Sequence, residues 1–126
     1  MPAPEDWIER AQYDRDTAEA MLKAGRYLYV LFCCQQAVEK ALKAIIAKTL
    51  GEMPPRIHDL NRLAVKAGLK LTARRAQFFD RLLRYYVRSR YPEDIRRMST
   101  ALTRVSAERT FRQTEELLEW LYSLMT

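Results

Sequence analysis

The sequence predicts an all-α protein: a single domain over residues 1–126, folded as an up-and-down four-helix bundle with one short extra helix. Three observations predict it. Apolar residues recur at steps of three and four over long segments instead of alternating, which is the pattern of amphipathic helices. Only three glycines and five prolines punctuate the chain, so the segments between them are long. The length suits one modest hydrophobic core and is too short for two.

A first helix is expected over about 4–24, with Pro4 and two acids suiting its start and Gly25 its stop. Trp7, Ala11, Ala18 and Leu22 mark its apolar face. Asp14 sits on that stripe, where a carboxylate is costly unless paired, so a cationic or hydrogen-bonding partner across the bundle is expected. The second helix is expected over about 27–50, ended by Gly51 and the Pro54-Pro55 pair. Val30, Cys34, Ala37, Val38, Ala41 and Ile45 form its apolar face, and Phe32, Gln36, Glu39 and Lys43 share another side. Glu39 and Lys43 form an i,i+4 pair, whose simplest role is helix stabilisation on a wet surface.

Residues 51–57 read as a loop, and His58-Asp59-Leu60 opens the short extra helix, which Gly68 ends. His58 there is most simply a capping or packing residue; a functional role requires it to approach Arg90 in space. A third long helix follows over 72–89, with Thr72 as N-cap. Phe79, Leu82, Leu83 and Tyr86 face its core side, while Arg74, Arg81, Arg84 and Arg88 form a basic flank. Pro92 stops that helix and biases Tyr91 toward extended backbone, so 90–105 reads as a long connector exposing Arg88, Arg90, Tyr91, Glu93 and Asp94. The last helix, capped at Thr103 or Ser106, presents Phe111, Leu117, Leu118, Leu121 and Met125 to the core.

Twenty-two basic residues against 16 acidic ones give a net charge of +6. The excess is concentrated in residues 74–97, which hold eight arginines and three acids. Such a segment suits an anionic partner, or it is a solvated arginine-rich face of the kind found in heat-adapted proteins. Adjacent Cys33 and Cys34, inside an apolar helix, are poorly placed for a disulfide with each other and read as reduced packing residues. No stretch approaches the roughly 18 apolar residues of a membrane span. The acidic start Met1–Asp6 lacks the regions of a signal peptide, so a cytoplasmic protein without membrane contact is expected.

One histidine and the absence of Cys-x-x-Cys argue against the usual zinc spacings, and no Glu-x-x-His pair suggests a di-iron centre. No metal and no cofactor are therefore expected. Walker and dinucleotide-binding glycine motifs are missing, and with His58 the only histidine and no nucleophile-elbow motif a hydrolase triad has little support.

Several segments occur in an order that resembles a known family. They are Ala11-x-x-Asp14-x-x-x-Ala18, Gly25-Arg26-Tyr27, Gln35-Gln36-Ala37-Val38-Glu39-Lys40-Ala41-Leu42-Lys43-Ala44, His58-x-Leu60 and Tyr86-x-x-x-Arg90-Tyr91-Pro92-Glu93. Together they resemble the prokaryotic HEPN domain, of the type with an Arg-Tyr-Pro-Asp turn, from Trp7 to Leu124. The resemblance implies a four-helix up-and-down bundle that commonly forms a homodimer. It also implies, for many members, metal-independent RNA cleavage by an arginine followed after four to six residues by a histidine. Arg90 matches the arginine, but Ile95, Arg96 and Arg97 stand where the histidine should be. Members with this turn are often encoded beside a minimal nucleotidyltransferase, as the smaller half of a toxin–antitoxin-like pair, and that enzyme can modify a tyrosine near the motif; Tyr91 is the nearest here, at a different spacing.

Three readings follow. In the first, the chain is a regulatory subunit whose Arg88, Arg90 and Arg97 hold the phosphate of a nucleotide or RNA through bidentate hydrogen bonds. Glu39 and Lys43 would orient these arginines, Tyr86 or Tyr91 would stack on a base, and Asp14 would complete the polar cluster. The second is a divergent metal-independent ribonuclease, with Arg90 stabilising phosphorane charge and His58 or Tyr91 handling the proton. The third is a protein-interaction subunit whose basic helix docks on an acidic nucleotidyltransferase.

Overall fold

A computed structural model describes residues 2–126. Among them are six helices and no strand: α1 (Pro4–Lys23), α2 (Tyr27–Leu50), α3 (Leu60–Lys66), α4 (Ala73–Arg88), α5 (Pro92–Ala101) and α6 (Arg104–Ser123). The four long ones, α1, α2, α4 and α6, form the expected bundle, and α3 is the expected short extra helix.

Local sequence sets most boundaries. The Asp6 carboxylate accepts from the Ala3 backbone N–H at the start of α1. At its end Gly25, with φ +75°, turns the chain so that Gly25 and Arg26 donate back to Leu22 and Met21, and three residues suffice to send α2 back along α1. Asp59 caps α3 by accepting from Asn61 and Arg62. Thr72 caps α4 by accepting from Arg75, and Thr103, of the two candidates, caps α6 by accepting from Ser106.

The segment expected as a connector after Arg90 is largely helical. Pro92 does end the preceding helical run, since α4 stops at Arg88 with Ser89 as its C-cap. It also begins the next helix. Tyr91 is extended, at φ −115° and ψ 119°, Pro92 occupies the first turn where no N–H is needed, and Glu93 and Asp94 complement the N-terminal dipole. Buried Met98 and Leu102 then anchor α5 to the bundle.

α2 is the central element, packed against α1, α3, α4, α5 and α6. Fifteen of its 24 residues are buried, and from Val30 to Ala47 only Phe32, Gln36 and Lys40, a stripe at steps of four, keep partial exposure. Phe79, Phe111, Leu31, Leu42, Ile46, Leu60, Leu63, Leu82 and Leu121 fill the space around it; each is worth about 1.5–3 kcal/mol of burial. Cys33 and Cys34 are free and buried, as expected. Burial, with Asp14 adding to it, pushes the Cys33 thiol up to about 11; burial raises Cys34 to about 12.

Polar ties join the helices. The partner expected for Asp14 is Lys40 of α2, whose Nζ donates to it at 2.6 Å with both side chains mostly buried. Arg15 of α1 reaches Glu115 of α6 at 2.5 Å, and Arg112 reaches the same carboxylate at 2.8 Å. Partial burial works to raise the Glu115 carboxyl, but the two guanidiniums outweigh it and hold it below its ordinary value. A depressed folded-state value means stability that is present above about pH 4.5, the unfolded value, and lost as pH falls through the folded one. Glu115→Gln is therefore expected to cost about 1 kcal/mol at pH 7 and nothing below the folded-state value. Urea unfolding of both proteins at pH 7 and pH 3 checks this, and an equal gap at the two pH values contradicts it.

Candidate functional site

Glu39 lies in the middle of α2 on a side that neighbouring elements cover, and it is 3% exposed. Every hydrogen bond it needs comes from the protein. Lys43 Nζ donates to Oε2 at 3.0 Å, while Gln35 Nε2 donates to Oε1 at 3.1 Å. His58 Nδ1 lies 2.8 Å from Oε1, and because a carboxylate oxygen only accepts, Nδ1 carries the hydrogen. Gln35 also donates to the His58 backbone carbonyl at 3.0 Å, so the same amide fixes both carboxylate and loop. Lys43 is itself 7% exposed and lies over the Trp7 ring, 5.7 Å from its centroid. The Glu39–Lys43 pair is thus buried, contrary to the wet-surface expectation. Helical spacing places the two on one side of α2, but only the packing of α1 and the His58 loop decides that this side is covered.

His58 is neither cap nor core: Asp59 caps α3, and the imidazole is about half exposed. Its ring lies 5.1 Å from that of Tyr86, which stacks on Phe32 at 5.2 Å. The Arg90 guanidinium carbon lies 4.6 Å from the same Tyr86 ring centre, and Arg90 donates to the Tyr86 hydroxyl. The approach of His58 to the Arg90 turn, which a functional role requires, is therefore made through Tyr86. Beside it Leu28, Tyr29, Phe32, Ser89, Arg90 and Ile95 line an apolar pocket of about 240 Å³.

A second concavity lies between α4 and α5. Arg81, Arg84, Tyr85, Arg88, Arg97, Met98 and Ala101 line a groove of about 380 Å³. Arg81 donates to Thr110 Oγ1 at 3.0 Å. Arg84, Arg88 and Arg97 are exposed, and among the described residues none of them forms an ion pair.

The arginines expected to act together are thus divided between two places. Arg88 and Arg97 enter the α4–α5 groove, and Arg90 turns to Tyr86 on the other side of the helix end. The reason lies at the helix end: Arg84 and Arg88, four residues apart, share a face of α4, whereas Arg90 lies past the C-cap Ser89, in the turn, where it folds back onto Tyr86. Glu39 and Lys43 satisfy each other and make no hydrogen bond to an arginine. Tyr86 is 5% exposed with Phe32 stacked on it, so it positions Arg90 and has no free face for a base. Tyr91, 52% exposed at the start of α5, is open to solvent. Asp14 is engaged by Lys40, which also donates to Gln36; Gln36 donates to Gln35, and the line of hydrogen bonds ends at Glu39. Gln35, Lys40, Arg81, Arg84 and Tyr85 join the site only in three dimensions. Their signals are present in the Gln35-Gln36 and Glu39-Lys40 runs and in the i,i+3 and i,i+4 spacing of Arg81, Arg84 and Arg88.

The family model for the HEPN domain matches residues 4–124. ST0689, described as an archaeal HEPN homologue, is 25% identical, with a TM-score of 0.79 over 100% of both chains. TT1696 from Thermus thermophilus is 23% identical, with a TM-score of 0.79 over 98% of each chain, and supports the fold. No curated protein matches the sequence. No helix among the described residues is long and apolar enough to cross a membrane.

Proposed function

Since the chain belongs to the HEPN domain family, we propose that it is a phosphate-binding HEPN subunit that takes RNA or nucleotide in the α4–α5 groove. The observation that carries this is the set of Arg84, Arg88 and Arg97, three exposed guanidiniums in one groove that, among the described residues, pair with no carboxylate. Like charges converge at a cost unless an anion joins them, and planar guanidiniums bond phosphate oxygens in pairs. Tyr85 in the same groove offers an aromatic surface to a base.

In this reading the protein is cytoplasmic and homodimeric, and pairs with a minimal nucleotidyltransferase in a toxin–antitoxin-like system. The basic flank of α4 supports a contact with an acidic enzyme, and exposed Tyr91 supports a modifiable turn. The test is fluorescence anisotropy with labelled single-stranded RNA over a range of salt. Binding that weakens steeply with salt supports the reading. No binding at low salt, with co-purification of the nucleotidyltransferase, would leave a protein-interaction subunit.

A further inference from the structure

We infer that the cleft between α4 and α6 is a binding site for a free α-amino acid with an apolar side chain. The inference is independent of the RNA reading, since the cleft lies at the other end of α4 and its lining calls for a different ligand.

The packing of the helices makes the cleft. α4 and α6 each pack on α2 but do not pack closely on each other, so side chains must span the seam between them. Arg81 donates across it to Thr110, and Arg75 reaches across it to lie over the Trp120 ring, 3.8 Å from its centre. In the same seam a pocket of about 300 Å³ opens, at the small end of ligand-sized cavities. Arg74, Arg75 and Phe78 line it from α4. Gln113, Glu116 and Leu117 line it from α6, where helical steps of three and four put them on one side between Thr110 and Trp120.

The lining carries both signs of charge. Arg74, Arg75 and Glu116 border one pocket, yet among the described residues none of the three forms an ion pair. Two cations and an anion held apart around one space complement a molecule that carries both charges. Arg75 is the fixed member. The indole holds its guanidinium in place, and among the described residues its side-chain N–H groups have no protein acceptor, so the fork is free to take a carboxylate through paired bonds. Glu116, on the facing helix, takes the ammonium group. Gln113 Oε1 is buried without a hydrogen-bond partner, and an ammonium N–H answers it once the amide turns toward the ligand. Half-buried Phe78 and buried Leu117 give an apolar side chain its floor. A polyphosphate fits this lining poorly because Glu116 repels it, whereas the α4–α5 groove has no carboxylate in its wall. A simple amine leaves the two arginines unanswered, and a simple carboxylate leaves Glu116 so.

The test is titration of the isotope-labelled full chain with L-leucine, followed in the amide NMR spectrum. Saturable shifts of the Trp120 indole N–H and the Gln113 side-chain amide are expected, with a thermal midpoint that rises with leucine concentration. Arg75→Met and Glu116→Gln should each weaken leucine binding about tenfold or more, and so should removing either charge from the ligand, as in isocaproate or isopentylamine. Replacing Arg84, Arg88 and Arg97 should leave leucine binding as it is in the native chain. Glu116 is exposed, so Glu116→Gln keeps the fold and decides the case should Arg75→Met not fold. Resonances that leucine does not move overturn the inference and leave the RNA reading untouched. Isocaproate bound as tightly as leucine, or undiminished leucine binding in Glu116→Gln, also overturns it and reduces the cleft to an anion site.

Discussion

Replacing Arg84, Arg88 and Arg97 together by alanine is expected to lower affinity for single-stranded RNA about 100-fold at low salt while leaving the thermal midpoint within a few degrees. Each guanidinium makes charge-assisted contacts worth about 1 kcal/mol or more, and three such losses sum to roughly two decades. The salt dependence should change with the affinity. Every phosphate neutralised on a single strand contributes about 0.7 to the slope of log affinity against log salt, so the triple variant should lose about 2 from that slope. Stability is spared because the three side chains are exposed and make no ion pair among the described residues. Lysine at the same positions should recover the salt slope better than the affinity, because it keeps the charge and loses the planar fork. Anisotropy titrations at several salt concentrations measure both quantities. An unchanged affinity would mean that the groove is a solvated basic face, the other explanation open for an arginine-rich helix.

Glu39→Leu is expected to be the most destabilising single change of a site residue, by about 3–5 kcal/mol. The carboxylate is buried with three donors directed at it. Its removal leaves Lys43 charged, 7% exposed and without a carboxylate, which is the costly half of breaking a buried pair. In a domain of this size the loss corresponds to a fall of roughly 10–20 °C in the thermal midpoint. The double variant Glu39→Leu, Lys43→Met should recover most of it, because two apolar side chains of similar volume replace the pair and nothing charged remains buried. A small effect of Glu39→Leu would show that water reaches Lys43. A double variant no more stable than the single one would show that the cost lies in the freed Gln35 and His58.

The two experiments separate binding from architecture. The groove arginines are expected to govern affinity and to contribute little to stability, while Glu39 is expected to stabilise the core and holds His58 by a hydrogen bond.

Much of the fold is legible in the residues because the signals are local. Gly25 and Gly51 end helices through their freedom to take positive φ, Thr72 and Asp59 start them with side-chain oxygens, and the apolar steps along α4 and α6 mark core faces that the structure buries. α5 is hidden because Pro92 sends two signals, stopping one helix and opening another, and the first masks the second. The Asp14 partner is legible as a requirement, since a carboxylate on an apolar stripe must be answered. That Lys40 answers it is not, because the two lie 26 residues apart.

Taken alone, the chain of residues determines every described helix but α5, most of the helix ends, the basic character of residues 74–97 and the HEPN pattern, all of which depend on neighbours within a turn or two. Tertiary structure decides which polar groups are removed from water and which arginines share a space. It buries Glu39 and Lys43, brings His58 to Tyr86 and Arg90, and sends Arg88 and Arg97 to a different groove. The physical reason is that burial and convergence are set by what another helix places opposite a side chain, and helical periodicity gives a direction without saying what lies there.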